Sequence, residues 1–251
     1  NIFSKSTKNA VICRVNQRFH FMKTAFLKLP FHFSEEKLLQ DLEVCKKYNF
    51  TSHFNKSDYS GDWTSISLRS QNGEMSNIFA LPQNNEKYKD TELLQECTYF
   101  RMIIDSFECE KESIRLLNLK PGSVIKEHTD YNLGYEDGIF RIHIPITTNK
   151  GVHFFINYEE VKMLPSECWY GNFNFTHSVR NDGKIDRIHL VMDCLRNDWS
   201  DKLFAENGYN FEAEYQQSEY SRETKLQMIE QLKLMDTETS KAMIAQLERE
   251  L

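Results

Sequence analysis

Two stretches in the first half of the chain carry apolar residues at helical spacing. In the first, Ser34 is a preferred N-cap residue, and Glu35 and Glu36 suit the positive end of a helix dipole. The apolar stripe that follows consists of Leu38, Leu39, Leu42 and Cys45. This spacing predicts a helix that ends near Tyr48.

The second stretch predicts a helix over residues 90–107. The positions expected to face inward are Leu93, Leu94, Cys97, Phe100, Ile104 and Phe107. Between the two helices, apolar and polar residues alternate from Trp63 to Leu68, which predicts a half-buried strand.

The texture changes to short β runs between Ser113 and Cys194. Turn residues interrupt these runs at 121–122, 132–138, 149–151, 171–172 and 181–183. About seven short strands in this space are typical of a sandwich, a barrel or a jelly roll. The predicted fold class is therefore mainly β with packed helices.

The sequence becomes helical again beyond Asp201. Its apolar positions are Leu226, Ile229, Leu232 and Met235, followed by Met243, Ile244, Leu247 and Leu251. We expect a helical hairpin packed on the β core, with a dimer contact or a lid as the alternatives. The predicted organisation is an N-terminal extension (1–33), a β domain with supporting helices (34–200) and a C-terminal helical segment (201–251).

Composition narrows the function classes. Lys and Arg number 31 against 37 Asp and Glu, which gives a net charge of −6, and basic residues are scattered among acidic ones. No broad basic face is expected, so binding to nucleic acid or to an anionic membrane is disfavoured. No uncharged run approaches the ~18 residues that a membrane-spanning helix needs.

The start of the chain and its cysteines bear on location. No acidic residue precedes Glu35, as in some transit peptides, but no clear amphipathic stretch precedes Met22. We therefore favour residues 1–21 as an upstream extension, with Met22 as the usual start. The six cysteines form no CxxC pair and predict free thiols in a reducing compartment, the cytoplasm.

Candidate metal ligands lie in the β region. His128 and Asp130 are two residues apart, so in an extended segment they point to the same side. His177 stands beside a predicted strand some fifty residues later. Two His and one carboxylate form the open arrangement of non-haem Fe(II) oxygenases. The alternative for the first pair alone is a solvated loop.

Two strands place polar residues where apolar ones are expected. Arg141 and His143 share one face of the first strand, and Arg187 and His189 share one face of the second. Both could be amphipathic strands with these side chains in water. Because both flank the candidate ligands, we favour an anion-binding cavity, which a dicarboxylate co-substrate would need.

These residues together resemble a known family. The run 113–194, with His128-Thr129-Asp130, Arg141-Ile142-His143, His177 and Arg187 ten residues on, is similar to the aspartyl/asparaginyl β-hydroxylase family of Fe(II)- and 2-oxoglutarate-dependent oxygenases. Within that family the sequence looks nearest to bacterial L-proline cis-hydroxylases, which have counterparts of 61–63 and 187–193. The resemblance covers roughly 34–199 and implies a double-stranded β-helix, the cupin-like jelly roll.

The resemblance also implies roles for individual residues. His128, Asp130 and His177 would hold Fe(II). Arg187 would bind the distal carboxylate of 2-oxoglutarate, with His143 beside that co-substrate. Arg141 and Trp63 would face the substrate. Because some relatives lack the carboxylate ligand and halogenating iron oxygenases generally do, Asp130 favours hydroxylation.

The implied reaction uses 2-oxoglutarate and O2 to hydroxylate an unactivated C–H bond of a free amino acid or a small derivative, proline-like compounds included. One alternative is a hydroxylase of Asp, Asn or another side chain in a peptide or protein. Another is a non-catalytic jelly-roll module that binds a metal or a ligand. A homodimer is a further expectation from the C-terminal segment.

Overall fold

The computed structural model describes residues 22–80, 87–216, 222–235 and 237–249. The chain forms two compact units. One spans Thr24–Tyr209, and the other contains the described residues on either side of that range. All the candidate site residues lie in the first unit.

The larger sheet of this unit has eight strands. They are β1 (Phe26–His32), β2 (Thr51–Ser52), β4 (Trp63–Ser70), β5 (Lys89–Asp90), β6 (Lys111–Leu119), β8 (Ile139–Thr147), β11 (Glu167–Gly171) and β13 (Arg187–Leu195). Their order is β1-β11-β8-β13-β6-β4-β2, with β5 paired to β4. Every pair is antiparallel.

A smaller sheet of five strands accompanies it. They are β3 (Tyr59–Ser60), β7 (Val124–His128), β9 (Val152–Ile156), β10 (Glu159–Glu160) and β12 (His177–Asn181). The order is β10-β9-β12-β7-β3, again antiparallel throughout. Neighbouring strands in both sheets are mostly distant in sequence, as a jelly roll requires.

The two sheets share an apolar core. Trp63 and Leu119 of the larger sheet pack in one cluster with Phe154, Ile156 and Val179 of the smaller sheet. Burial of apolar surface from both sheets holds them face to face. The predicted class, mainly β with a jelly-roll core, is confirmed.

The described residues of the first unit form four α-helices: α1 (Glu35–Cys45), α2 (Glu92–Glu96), α3 (Thr98–Asp105) and α4 (Asp198–Glu206). The α1 prediction is confirmed, and the Ser34 hydroxyl accepts a hydrogen bond from the Lys37 backbone N–H at 3.4 Å. The predicted inward residues of 90–107 are all buried.

The helix predicted over 90–107 is wrong as a single element, because it breaks at Cys97. The Asp41 carboxylate, carried by α1, accepts hydrogen bonds from the backbone N–H groups of Tyr99 and Phe100, both at 2.8 Å. This side chain satisfies donors that a continuous helix would have paired internally. Sequence periodicity cannot show a cap supplied from another helix.

The strand β1 lies within the range that the sequence assigns to an N-terminal extension. It pairs with β11, with Leu29 opposite Cys168, and Leu29 is buried. Residues 24–33 are therefore part of the larger sheet or its immediate connections. Residues 1–21 lie outside the described residues.

The second unit contains three helices, α5 (Glu212–Gln216), α6 (Arg222–Lys233) and α7 (Glu238–Arg249). Helices α6 and α7 pack against each other, with Ile229 and Leu247 buried. The predicted helical hairpin is present, while its packing on the β core stays a prediction. Among the described residues, no helix is long and apolar enough to cross a membrane.

Candidate metal centre and its cavity

Two strands of the smaller sheet bring the predicted ligands together. His128 ends β7 and His177 begins β12, and the two are direct partners across the strand pair. Asp130 follows two residues after His128, and its backbone N–H donates to the Phe173 carbonyl at 2.9 Å. The ligands are thus fixed by ladder register and by one loop hydrogen bond.

The ring orientations suit metal binding. His128 Nδ1 lies 2.8 Å from the Lys126 carbonyl oxygen, and His177 Nδ1 lies 3.0 Å from the Phe175 carbonyl oxygen. A carbonyl only accepts, so in the neutral form of each ring the proton lies on Nδ1 and the lone pair on Nε2. This is the tautomer that a metal ligand needs.

The donor atoms of His128, Asp130 and His177 all lie within 4.8 Å of one another. His128 Nε2 is 3.9 Å from Asp130 Oδ1. Two imidazoles and one carboxylate occupy three positions of an octahedral ion and leave the others open, so this donor set fits Fe(II).

Charge around Asp130 keeps it ionised. Its Oδ2 accepts a hydrogen bond from Arg141 Nη1 at 3.1 Å. Burial raises the pKa of Asp130, but Arg141, His177 and His128 more than offset it, so the pKa lies below its usual value. Burial, and then the neighbouring His128, lower the pKa of His177 to about 4, so this ring is neutral at pH 7.

Arg141 belongs to a buried charge cluster. Its Nε and Nη2 donate to the two oxygens of Asp193 at 2.6 and 3.1 Å. Arg115 Nη2 donates to the same carboxylate at 3.1 Å, and its Nη1 donates to the Ile78 carbonyl at 3.1 Å. Arg115 Nε has no hydrogen-bond partner among the residues that the structure describes. The Asp193 carboxylate therefore forms ion pairs with two guanidinium groups, those of Arg115 and Arg141.

Arg187 is a buried cation that lines the same cavity as the candidate metal ligands. It is 1% exposed, and among the described residues it has no ion-pair partner. Its Nη2 donates to His189 Nδ1 at 2.9 Å, and its guanidinium carbon lies 5.2 Å from the Phe154 ring centre. Its Nε has no hydrogen-bond partner in the described part of the chain. Burial alone lowers its pKa to about 9. A cation this buried is normally paired, so its surroundings fit an anionic ligand.

His143 lines this end of the cavity, and His189 lies beside it in contact with both His143 and Arg187. Because Arg187 donates to His189 Nδ1, that nitrogen carries a lone pair, and His143 Nδ1, 3.3 Å away, is placed to donate to the same atom. Burial, and then the charge of Arg187, lower the pKa of both rings well below the usual value. His143 Nε2 is buried and has no hydrogen-bond partner within the described ranges.

A single cavity of about 560 Å³ lies between the candidate metal ligands and Arg187. It is lined by all seven residues proposed from the sequence, namely His128, Asp130, His177, Arg187, His143, Arg141 and Trp63. The alternative in which the Arg and His of β8 and β13 face water is wrong, since Arg141 and His143 are buried, as are Arg187 and His189.

Among the lining residues that sequence reasoning missed are Arg115, His53, Phe54 and Phe79. A signal existed for Arg115 only, which stands at a polar position within an apolar strand run. His53 stacks on Trp63 with ring centres 3.6 Å apart and planes at 9°. Nothing in the local pattern of residues 51–58 indicates this contact.

Comparisons with known proteins agree with this geometry. Residues 34–197 match the family model described as Aspartyl/Asparaginyl beta-hydroxylase. No curated protein sequence matches the chain.

One similar solved structure is an oxidoreductase of the 2OG-Fe(II) oxygenase family from Burkholderia pseudomallei. It is 13% identical, with 84% of this chain and 96% of that chain covered and a TM-score of 0.50, and it shares the fold. HygX from Streptomyces hygroscopicus, with nickel and 2-oxoglutarate bound, is 9% identical over 73% of this chain and 87% of that one (TM-score 0.46). A Pseudomonas putida prolyl-4-hydroxylase is 8% identical over 69% and 93% (TM-score 0.42). The last two are too distant to add to the assignment.

The family model covers well over half of the chain, including every residue of the metal centre and its cavity that the sequence singled out. The prediction of a hydroxylase of the iron- and 2-oxoglutarate-dependent class is thereby confirmed. The protein belongs to the aspartyl/asparaginyl β-hydroxylase family.

Proposed function

We propose that this enzyme hydroxylates an unactivated C–H bond of a free amino acid or a small amino-acid derivative. The metal would be held by Nε2 of His128, Nε2 of His177 and Oδ1 of Asp130. When bound, Fe(II) supplies the oxidation, in which O2 and 2-oxoglutarate are converted with the substrate to hydroxylated product, succinate and carbon dioxide.

The observation that carries the proposal is that Arg187 is buried and has no carboxylate partner among the described residues. A buried guanidinium with an unpartnered Nε can form a two-point contact with a carboxylate. It lines the same cavity as the three metal donors. A structural metal site or a simple binding module has no use for such a residue, whereas a dicarboxylate that also chelates the metal does.

Neighbouring side chains would prepare this contact. His189 accepts from Arg187 Nη2 and so holds the guanidinium plane in place. Phe154 covers one face of that plane and keeps water away from it. His143 would lie beside the co-substrate.

Charge in the cavity supports an amino-acid substrate. The two positive charges of Fe(II) and the two negative charges of 2-oxoglutarate would cancel. The negative charges of Asp130 and Asp193 offset two of the three arginine charges in this region, which belong to Arg115, Arg141 and Arg187. One positive charge remains for a substrate carboxylate. Asp58, which also lines the cavity, would suit the ammonium group.

The carboxylate of the substrate would contact Arg115 together with Arg141. Three of the five N–H groups of Arg141 already donate to Asp193 and Asp130. Arg115 donates to one Asp193 oxygen and one carbonyl, and its Nε lacks a partner. Arg115 therefore has more unused donors than Arg141. Trp63 would form an apolar wall beside the substrate.

Succinate release from 2-oxoglutarate, measured with Fe(II), ascorbate and a panel of amino acids, tests the proposal. We expect release to rise with particular amino acids and to be lost in His128→Ala and in Asp130→Ala. A second readout is the weak visible absorption of the anaerobic Fe(II) and 2-oxoglutarate complex, which the same variants should lack.

His153→Ala is the matched control. This histidine pairs with Glu160 at 2.6 Å and does not line the cavity of the metal donors. It should keep both signals. Unchanged turnover in either ligand variant would refute the ligand assignment, and hydroxylation of peptides with no activity on free amino acids would refute the proposed substrate class.

A further inference from the structure

The mouth of the cavity differs in character from its interior. The interior holds the metal donors and the buried Arg187, while the mouth presents aromatic rings. Phe54 is 56% exposed and Phe79 is 38% exposed, and both line the cavity. We call Phe54, Phe79 and the adjoining His53 the mouth patch.

The aromatic rings contact one another in an unbroken series from the surface to the interior of the cavity. The ring centres of Phe79 and Phe54 are 4.8 Å apart, and those of Phe54 and His53 are 4.5 Å apart. His53 then stacks on Trp63, which is only 8% exposed and lies in the apolar core. A ligand that leaves the interior along Trp63 therefore meets apolar rings.

Buried anchors hold the segment before Phe79. The Ile78 carbonyl accepts from Arg115 Nη1 at 3.1 Å, and the Asn77 carbonyl accepts from Ser67 Oγ at 2.7 Å. Ile78 itself is 3% exposed. The chain is thus fixed immediately before an exposed apolar ring, and Arg115 links the mouth patch to the proposed carboxylate site.

The segment of Phe54 is anchored as well. The His53 backbone N–H donates to the Trp63 carbonyl at 2.9 Å. Burial, and then the charge of Arg115, lower the pKa of His53 to about 4, so at pH 7 the ring is neutral. The mouth patch is uncharged and held in place, and exposed apolar surface of this kind marks a binding site.

We infer, on the basis of the proposed hydroxylase function, that the substrate is an amino acid or derivative with a large apolar group, of leucine or phenylalanine size, and that this group packs on the mouth patch. Continuity with the reaction cavity identifies the occupant as part of the substrate. A volume of about 560 Å³ lies within the range of ~300–1,000 Å³ of pockets that bury drug-sized ligands. It accommodates 2-oxoglutarate together with a substrate larger than proline.

The test compares Phe54→Ala and Phe79→Ala with wild-type enzyme on two sets of substrates. One set contains alanine and proline, and the other contains leucine, phenylalanine and their N-acetyl derivatives. Wild-type enzyme should have the higher kcat/KM on the apolar set. Each variant should lose about 3- to 10-fold in kcat/KM on that set, mainly through KM, and change less than about 2-fold on the small set.

Tyr158→Ala is the matched control, because Tyr158 is 73% exposed and lies outside the cavity of the metal donors. It should behave as wild type on both sets. Substrate binding to the Mn(II)- and 2-oxoglutarate-loaded protein, followed by calorimetry, gives a readout without turnover and should show the same 3- to 10-fold loss of affinity in the two Phe variants.

Substrate-free decarboxylation of 2-oxoglutarate separates this inference from the proposed function. It should be unchanged in both Phe variants. If it is present but the apolar set is no better than the small set, or the variants match wild type on every substrate, the mouth-patch inference is overturned alone. If wild-type enzyme neither binds nor decarboxylates 2-oxoglutarate, the proposed function fails and the inference fails with it.

Discussion

The two Arg-x-His strands look alike in sequence but differ in their electrostatics. Arg141 of β8 contacts two carboxylates, Asp130 and Asp193, whereas Arg187 of β13 contacts a neutral histidine and the Phe154 ring and pairs with no carboxylate among the described residues. Burial lowers the pKa of both guanidinium groups. For Arg141 the carboxylates outweigh it and raise the pKa, while for Arg187 nothing opposes it and the pKa falls to about 9.

This difference separates a cation whose charge the protein itself compensates from one whose charge it does not. The charge of Arg141 is compensated by Asp130 and Asp193, so this residue contributes to stability and to the ionised state of Asp130 in addition to its proposed contact with the substrate. The charge of Arg187 has no acidic partner among the described residues, which is why we propose it as the cation that binds the co-substrate. The same sequence pattern thus produces two electrostatic environments, and the position of Asp193 decides which.

The largest effect is expected for Arg141→Met. Removal of this cation leaves Asp193, which is 1% exposed, with Arg115 as its one remaining ion-pair partner among the described residues. Breaking a buried pair from one side should lower the free energy of unfolding by about 3 kcal/mol. Chemical denaturation of the metal-free protein measures it. Arg180→Met, at an exposed ion pair with Asp182, should change it by less than about 0.5 kcal/mol.

Arg187→Met should change the free energy of unfolding in the opposite direction. The variant removes a buried cation that has no acid, so the free energy of unfolding of the metal-free protein should rise by about 1 to 2 kcal/mol. The same denaturation experiment measures it. A loss of stability as large as that of Arg141→Met would mean that the two arginines are equally structural.

His189→Phe should weaken 2-oxoglutarate binding about tenfold. The ring of Phe cannot accept the hydrogen bond from Arg187 Nη2, so the guanidinium loses its fixed orientation. His189→Asn, whose side-chain oxygen can accept that bond, should stay near the wild-type affinity. Calorimetric titration of the Mn(II)-loaded protein provides the dissociation constants, and equal loss in both variants would argue against a positioning role.

The smallest effect concerns acid sensitivity at the mouth. The folded-state pKa of His53, about 4, lies below the unfolded value of ~6.5, so its contribution to stability is complete above pH 6.5 and is lost as the pH falls toward 4. His53→Phe keeps a ring on Trp63 and cannot be protonated. Between pH 7 and pH 5 it should lose about 1 kcal/mol less stability than wild type, after allowance for partial exposure of the ring. Equal losses would contradict this burial.

Much of the fold and metal centre could be predicted because the signals are local. Helix α1 could be predicted from the N-cap residue Ser34 and the apolar stripe that follows it. The candidate metal ligands could be predicted from His128 and Asp130, which lie in one short segment, together with His177 later in the chain. The polar face of β13 singled out Arg187, and the resemblance to a family added its expected role toward the distal carboxylate of 2-oxoglutarate. These features depend on residues near each other in sequence or on a distinctive motif.

The rest depends on contacts between distant residues. Asp193 meets Arg115 across 78 positions, and Asp41 caps a helix that begins 57 residues later. The stack of His53 on Trp63 requires the pairing of β2 with β4. Periodicity reports which face of an element is buried, but it does not report which side chain lies opposite.

The most direct test of the central claim, that Arg187 binds the distal carboxylate of the co-substrate, compares two ligands on two proteins. Calorimetric dissociation constants of 2-oxoglutarate and of 2-oxopentanoate, which lacks that carboxylate, would be measured on Mn(II)-loaded wild type and Arg187→Met. Wild type should prefer 2-oxoglutarate by at least about 30-fold, and the variant should bind the two within about 5-fold of each other. Equal affinities in wild type, or a preference that survives in Arg187→Met, would contradict the claim.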